Sequence, residues 1–336
     1  MPVSTPISLP ISVVIPTRNS MDKLPRHLSH HAAVFAHCAE IVHCDSFSKD
    51  DTKTYLAEHL VHPGLHQFDH PPGLYQSWNF AIQQCTQLFI YISTVGDQID
   101  LAGLQQLLDL AIKTDADVVI SPPRYIEESG QVNEKLRWPI DNLILHQRIK
   151  TPGLVSMDQV YIEAILHAPD GIMGSAASCL YRSPFLQPRP FPLGFHGVCD
   201  SVWALQYLPF ARCAILPSPV ATFLLHPKTY ESHGRLNAQI AILIREHLQK
   251  ILPQFISQPD GSKVTPSLLQ TLIEFNEIGT ALARENGALI ELRKKWSIFW
   301  PLHPKSWSIR ARRNRSRAKA KQQGAIIRQN HSPRTS

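Results

Sequence analysis

Along the first third of the chain, short β-branched blocks alternate with stretches of helical spacing. ISVVI at 11–15 is a β-branched run closed by Pro16, which predicts a buried strand and then the loop PTRNS. A helical pattern follows over 21–38. IVHC at 41–44 predicts a second strand running into the acidic loop DSFSKDDT, followed by a helix over 52–60 and a third strand at 65–68. Pro71, Pro72 and Gly73 lead into a helix over 73–85. LFIYIS at 88–93 is the next strong strand signal and runs straight into TVGD. A helix at 101–113 and a strand at 117–121 complete the series. Strands alternating with helices of this length define an α/β unit with a largely parallel sheet.

The texture changes after Pro122 and Pro123. Residues 122–160 are rich in turn signals and hold Trp138. GSAASCLYR at 174–182, VCDSVWALQYL at 198–208 and CAILPSPVATFLL at 213–225 predict a strand, a helix and a strand. From 234 onward Leu236, Ile240, Leu243, Ile244, Leu248 and Ile251 fall on one helical face, and 267–296 is a second amphipathic helix. These two helices form either a cap on the body or an oligomerisation surface. The expected organisation is an α/β domain over 1–228, a helical extension over 229–300, and a disordered basic tail over 301–336.

Charge changes the picture only once it is divided. The formal net charge is +6, yet residues 301–336 hold ten Lys/Arg and no Asp/Glu. Residues 1–300 hold the other 23 Lys/Arg against all 27 Asp/Glu, so the body is mildly acidic. Nucleic acid is therefore not an expected partner of the body. The basic segment is interleaved with Trp296, Phe299, Trp300 and Trp307, which suits peripheral contact with an anionic membrane face. Six scattered cysteines without a C-x-x-C pair suit a reducing, cytoplasmic setting. No stretch has the length and apolarity of a membrane span, and MPVSTPISLP has neither the basic nor the apolar region of a signal peptide.

In an open α/β sheet, ligands lie beyond the carboxyl ends of the strands. Four segments fall there: PTRN at 16–19, DSFSKDDT at 45–52, TVGD at 94–97, and the stretch leading to Asp200. Acids converging on one sheet edge suit a divalent cation or a sugar. In order and spacing, ISVVIPTRN, CDSFSKDDT, GLYQSWNFAI, FIYISTVGD, GSAASCLYR and VCDSVWAL resemble the successive signatures of family 2 glycosyltransferases with the GT-A fold. The resemblance covers roughly residues 9–226. It implies an inverting glycosyltransferase that moves a sugar from a nucleoside-diphosphate-sugar to a hydroxyl acceptor, in polysaccharide or glycolipid synthesis. A catalytically inactive GT-A domain used as a binding or scaffold module is the alternative.

The resemblance also implies roles. Pro16, Thr17, Arg18, Asn19 and Asp45 fall where relatives hold the nucleotide, and Gly73, Tyr75 and Asn79, in a helix that relatives share, are further donor-binding candidates. Asp45 has a competing role as a cap of its own turn, and Asp50 is expected to support the loop. Relatives carry a D-x-D motif where this chain has Thr94-Val95-Gly96-Asp97. Asp97 is left as the one carboxylate there for Mn²⁺ or Mg²⁺, with His226 as a second candidate ligand. Metal-independent transfer and a degenerate site compete with that role. Asp200 is the expected catalytic base, or else the N-cap of helix 201–208. Trp138, Arg182 and His196 are the acceptor-side candidates, while Trp78 and Trp203 are expected in the core. His27, His30, His31 and His37 are expected on a solvated helix face.

Overall fold

The computed structural model describes residues 8–69, 73–225, 234–257, 263–296 and 304–331. In chain order the elements are β1 (Leu9–Thr17), α1 (Leu24–His37), β2 (Cys38–Asp45), α2 (Thr52–His59), β3 (Leu65–Asp69), α3 (Leu74–Gln84), β4 (Phe89–Ile92), β5 (Gln98–Ile99) and α4 (Leu101–Thr114). Then come β6 (Val118–Ile120), β7 (Arg124–Glu127), α5 (Pro139–His146), β8 (Gly153–Leu154), α6 (Met157–His167), β9 (Cys179–Arg182) and the single turn α7 (Ser183–Leu186). The chain continues through α8 (Cys199–Tyr207), β10 (Cys213–Ile215) and β11 (Ala221–Leu225). It ends in α9 (Gly234–Ser257), α10 (Pro266–Trp296) and α11 (Pro304–His331).

Eight strands form one sheet in the order β3-β2-β1-β4-β9-β6-β10-β8. The pairs β2–β3, β1–β2, β1–β4 and β6–β10 are parallel, whereas β9 runs antiparallel to both β4 and β6. A second sheet, β5-β11-β7, has three short strands. The α/β class with a mostly parallel sheet therefore holds.

The period-two alternation of β1 explains the layering. Ile11, Val13 and Ile15 pack with Leu24, Leu28 and Val34 of α1 and Leu104, Leu107 and Leu108 of α4 on one face. Val14 points to the other face, into the core built by α3, α5, α6 and α8. Trp203 is fully buried there, and Trp78 nearly so, as expected.

Three departures from the sequence expectations have physical causes. The apolar run 213–225 splits into β10 and β11 in different sheets, because Pro217 and Pro219 interrupt it. On α1, His27 and His31 are buried rather than solvated, with ring centroids 4.2 Å apart. Burial, with help from the neighbouring imidazoles, pushes His27 down to about 3. His31, bonded through Nδ1 to His27 O, is pushed by burial down to about 4. Neutral imidazoles act here as core residues.

The third departure is the tail. Residues 304–331, expected to be disordered, form α11, which packs on α10 and α6. Ser306, Gly324 and Ile327 face inward at helical spacing. Small residues let the helix approach closely, so the stripe carries little of the apolar signal that marks most amphipathic helices. Arg328 clasps the fully buried Glu163 of α6 (Nε–Oε1 2.8 Å), which also meets His146 and His167. Burial opposes the Glu163 charge, but hydrogen bonds from His167, Arg328 and His146 and the Arg328 charge overcome it and hold the carboxyl down at about 2.

The other two helices cap the body, one of the two arrangements expected for them. Ile240, Ile244, Leu248 and Ile251 of α9 are buried in the same core as α6 and α8. The buried Arg245 guanidinium donates to Ile165 O and Ala168 O at the carboxyl end of α6, both at 2.9 Å, and to Asn276 of α10. The unsatisfied carbonyls and negative dipole end of α6 thus hold a cation that has no acid partner among the described residues. Among the described residues, no helix is long and apolar enough to cross a membrane.

Candidate active site

A cavity of about 1050 Å³ opens where β4 ends and the helical extension meets the body. Thr94 and Asp97 from the β4 loop, Tyr75 and Trp78 from α3, and Asp200 from α8 line it. Trp138, Ser175 and Leu224 add to this wall, while Ala241 of α9, Asn286 of α10 and Arg313 of α11 form the other side.

Gly96 places Asp97. Its φ of +113° lies in the left-handed region, so the chain turns sharply after β4 and sends the next side chain inward. Asp97 is 7% exposed. Ser175 Oγ donates to its Oδ2 at 2.9 Å and Leu224 N to its Oδ1 at 3.3 Å. Burial pushes the carboxyl up to about 7, against these two donors and the charge of Lys23.

Asp200 lies in the first turn of α8, one residue inside the helix rather than at its N-cap, which is Val198. Its Oδ1 accepts from Ser201 N at 2.8 Å. Burial raises its pKa, and the Ser201 N–H opposes that shift. The single Tyr75 hydroxyl proton goes to Gly197 O at 3.1 Å, tying α3 to the turn before α8. The two expected acids thus share one cavity, each raised by burial.

The nucleotide-side candidates form a separate region. Pro16, Thr17, Arg18, Asn19 and Asp45 sit at the ends of β1 and β2 and do not line the cavity. Asp45 is nearly inaccessible and takes three bonds: from Thr17 Oγ1 (2.8 Å), Ser48 N (2.8 Å) and Ser48 Oγ (2.6 Å). The single Thr17 hydroxyl proton goes to Asp45, so the His43 Nε2 at 2.9 Å donates to Thr17. Asn19, at φ +47°, bonds Ser48 Oγ through its N–H and Lys49 N through its side chain. Asp50 braces the same loop by accepting from Met21 N and Thr52 N. Asp45 in this arrangement caps its own turn, and Arg18 is left exposed beside it.

Other candidates lie elsewhere. Asn79 spends both ends of its amide on the Phe191 backbone, at 2.8 Å each, and so braces α3 against the 187–198 segment rather than facing the cavity. Gly73 precedes α3 and does not line the cavity. Arg182 is misplaced for an acceptor contact. β9 runs antiparallel, so its last residue pairs with Phe89 at the amino end of β4, the far edge from Asp97. There Arg182 pairs with Asp115 at 2.8 Å. His196 is exposed in the turn whose next two residues, Gly197 and Val198, line the cavity. Trp138 does line it, with its ring against Tyr125 and Phe223. His226 lies outside the described residues.

Sequence reasoning missed Ser175, Asp170 and Arg313. Ser175 stands inside the GSAAS block, so its signal was present without a role. Asp170, raised by burial, follows a loop with no strand-end cue. Arg313 was hidden by the expectation of a disordered tail.

A sheet of this order, with acids beyond its carboxyl edge beside a deep cavity, is the arrangement expected of the GT-A fold. The sequence model of glycosyl transferase family 2 matches residues 12–161, so the chain carries a glycosyl transferase family 2 domain. No curated protein sequence matches the chain. Among solved structures, the S. aureus TarS fragment 1–349 is similar with a TM-score of 0.56 and 14% identity, over 97% of this chain and 93% of that one. The same fragment in complex with UDP-GlcNAc gives 0.57 and 14%, over 95% and 92%. The mannosyltransferase PcManGT from Pyrobaculum calidifontis, in complex with GDP-Man and Mn²⁺, gives 0.52 and 16%, over 96% and 86%. At these identities the likeness is one of fold, and its coverage takes in the helical extension.

A divalent cation has a narrow fit here. Among the described residues, no group of three or more His, Cys, Asp and Glu side chains is placed to hold a metal. Asp97 offers one carboxylate already engaged by Ser175 and Leu224. That set suits an ion held jointly with a diphosphate, which supplies the further hard oxygens.

Proposed function

We propose that this glycosyltransferase transfers a sugar from a nucleoside-diphosphate-sugar to a hydroxyl acceptor with inversion, using Asp200 as the base. The observation that carries this is the meeting of Asp97 and Asp200 in one cavity at the carboxyl edge of the sheet. The acceptor oxygen attacks the anomeric carbon as its proton passes to the Asp200 carboxylate. The bond to the diphosphate breaks, and its electron pair leaves with the nucleoside diphosphate. Burial makes Asp200 a stronger base than a solvated carboxylate, and Ser201 N–H fixes its orientation. A bound Mn²⁺ or Mg²⁺ supplies charge neutralisation at the diphosphate, and Asp97 would hold it. Thr17, Arg18 and Asn19 offer backbone and side-chain groups to the nucleotide from the β1 end.

The acceptor in this reading is a glycan or a lipid-linked sugar. The exposed basic residues of α11 and Trp307 suit peripheral contact with an anionic membrane face, at about 1 kcal/mol per basic residue. All six cysteines are buried free thiols, in keeping with a cytoplasmic setting.

The test is a thermal-shift scan against UDP-, GDP- and dTDP-sugars with and without Mn²⁺, paired with donor turnover. One donor class stabilises the protein, and Asp200→Asn keeps that shift while turnover collapses. Failure of every donor to shift the melt, or full turnover in Asp200→Asn, would overturn the proposal.

A further inference from the structure

α1 places two imidazoles one helical turn apart in the core, those of His27 and His31. Burying an imidazole costs free energy unless its nitrogens find partners. Here the partners are the two ends of one loop. His27 Nε2 lies 3.0 Å from Oγ of Ser93, the residue that follows β4. His31 Nε2 lies 3.4 Å from the backbone N of Ile99, in β5. Between these anchors run Thr94 to Gln98, the stretch that carries Gly96 and Asp97.

The tautomer of His31 follows from its neighbours. Its Nδ1 is 2.9 Å from His27 O, a carbonyl that can only accept, so Nδ1 carries the ring proton. Nε2 is then the bare nitrogen and accepts from the Ile99 N–H. Phe35 stacks on the His31 ring at 5.5 Å and fixes its plane. His27 Nδ1 has no hydrogen-bond partner among the described residues, so that ring's bond is the one to Ser93. Neither imidazole lines the cavity, so both reach the site through the loop. The loop has little stiffness of its own. Its turn is closed by the bond from Asp97 N to Thr94 O at 3.1 Å and contains a glycine at φ +113°.

We infer that His27 and His31 are positioning residues for Asp97: they pin both ends of its loop and keep the carboxylate where the donor's metal and diphosphate meet it. This rests on the transferase reading above and adds the residues that hold its metal-side acid in place.

Two readouts on the full chain test it. One is backbone hydrogen exchange over 94–99, which needs no ligand. The other is the Mn²⁺ concentration that gives half-maximal enhancement of the donor thermal shift, using whichever of the UDP-, GDP- and dTDP-sugars stabilises the unaltered chain. His27→Leu and His31→Leu each speed the exchange and raise the Mn²⁺ requirement by roughly five- to tenfold, the range of one buried hydrogen bond. His31→Gln returns an acceptor near the Nε2 position and restores most of both. His27→Leu adds nothing in a Ser93→Ala background. Val34→Ala, on the same helix and in the same core, lowers the melting temperature and leaves both readouts unchanged.

Unchanged exchange over 94–99 in both leucine variants would overturn the inference. So would faster exchange with an unaltered Mn²⁺ requirement. Equal changes in Val34→Ala would assign the effect to the stability of α1 and overturn it as well. If the leucine variants do not fold, Ser93→Ala removes the His27 bond without touching α1 and decides by the same readouts. A donor that stabilises the chain equally with and without Mn²⁺ leaves the transferase standing and sinks this inference alone. No donor stabilisation at all sinks the transferase reading, with hydrogen exchange still deciding whether the imidazoles pin the loop.

Discussion

Asp45 and Asp97 both lie at strand ends of one sheet, both nearly inaccessible, and their surroundings are opposite in kind. Asp45 receives three short hydrogen bonds from Thr17 and Ser48. Asp97 receives two, one of them at 3.3 Å, and burial pushes it up to about 7. A well-supplied carboxylate holds a loop in shape. An under-supplied one retains an appetite for a proton or a cation. Position at the carboxyl edge alone does not separate these cases, but the count of donors does.

The widest test of the contrast is catalytic. Asp200→Asn keeps the size of the side chain and removes the base, so turnover falls by about 10²–10⁴ while donor affinity holds. Parallel kinetics and thermal shifts check this, and a tenfold loss of donor affinity would make Asp200 a binding residue.

Next is stability at Asp97. Its folded pKa lies above the ordinary carboxyl value of 3.8, so the native state holds the proton more tightly than the unfolded state. Stability associated with it is full below about pH 4 and is lost as pH rises through about 7. Asp97→Asn therefore raises the melting temperature at pH 8, by up to ~4 kcal/mol in stability, and abolishes any Mn²⁺ enhancement of donor binding. Lower stability at pH 8 would show that the acid is adequately supplied after all.

Glu163 runs the other way. Its folded pKa is held below 4.5, so its contribution is present above about pH 4.5 and lost as pH falls toward about 2. Glu163→Gln destabilises by roughly 2–3 kcal/mol at pH 7 and flattens the acid limb of the stability curve. Denaturant unfolding from pH 7 to pH 2 reads both effects. The smallest change is Asp45→Asn, which costs about 1–2 kcal/mol through the Ser48 and Thr17 bonds, opposite in sign to Asp97→Asn. If both substitutions shift the melt in the same direction, the distinction between the two strand-end acids is wrong.

Legibility in the sequence followed the strength of local signals. β1, β2, β4 and β6 stand close to their expected places because buried, largely β-branched apolar runs leave an unmixed pattern. The three-stranded sheet was missed because β5 has only two residues and β11 was fused with β10. Asp97 and Asp200 were singled out by motif order, and both line one cavity. Arg182 was misjudged because nothing local reveals that β9 runs backwards between parallel neighbours. The burial of His27 and His31 escaped notice because a polar residue type outweighed its helical spacing. Arg313 escaped for a similar reason, since the packing stripe of α11 consists mostly of small residues.

The Arg245 contact bears on where the molecule divides. Ancestry marks out residues 12–161, and the sequence texture suggests a cut near 228. A chain ended there would strip Ile165 O and Ala168 O of their guanidinium and lay bare the apolar core that α9 and α10 cover. The stretch that the family model matches and the folding unit are then different objects. A stretch of chain outside the family match serves as an obligatory part of the core, so evolution can vary the extension only in ways that still close the body.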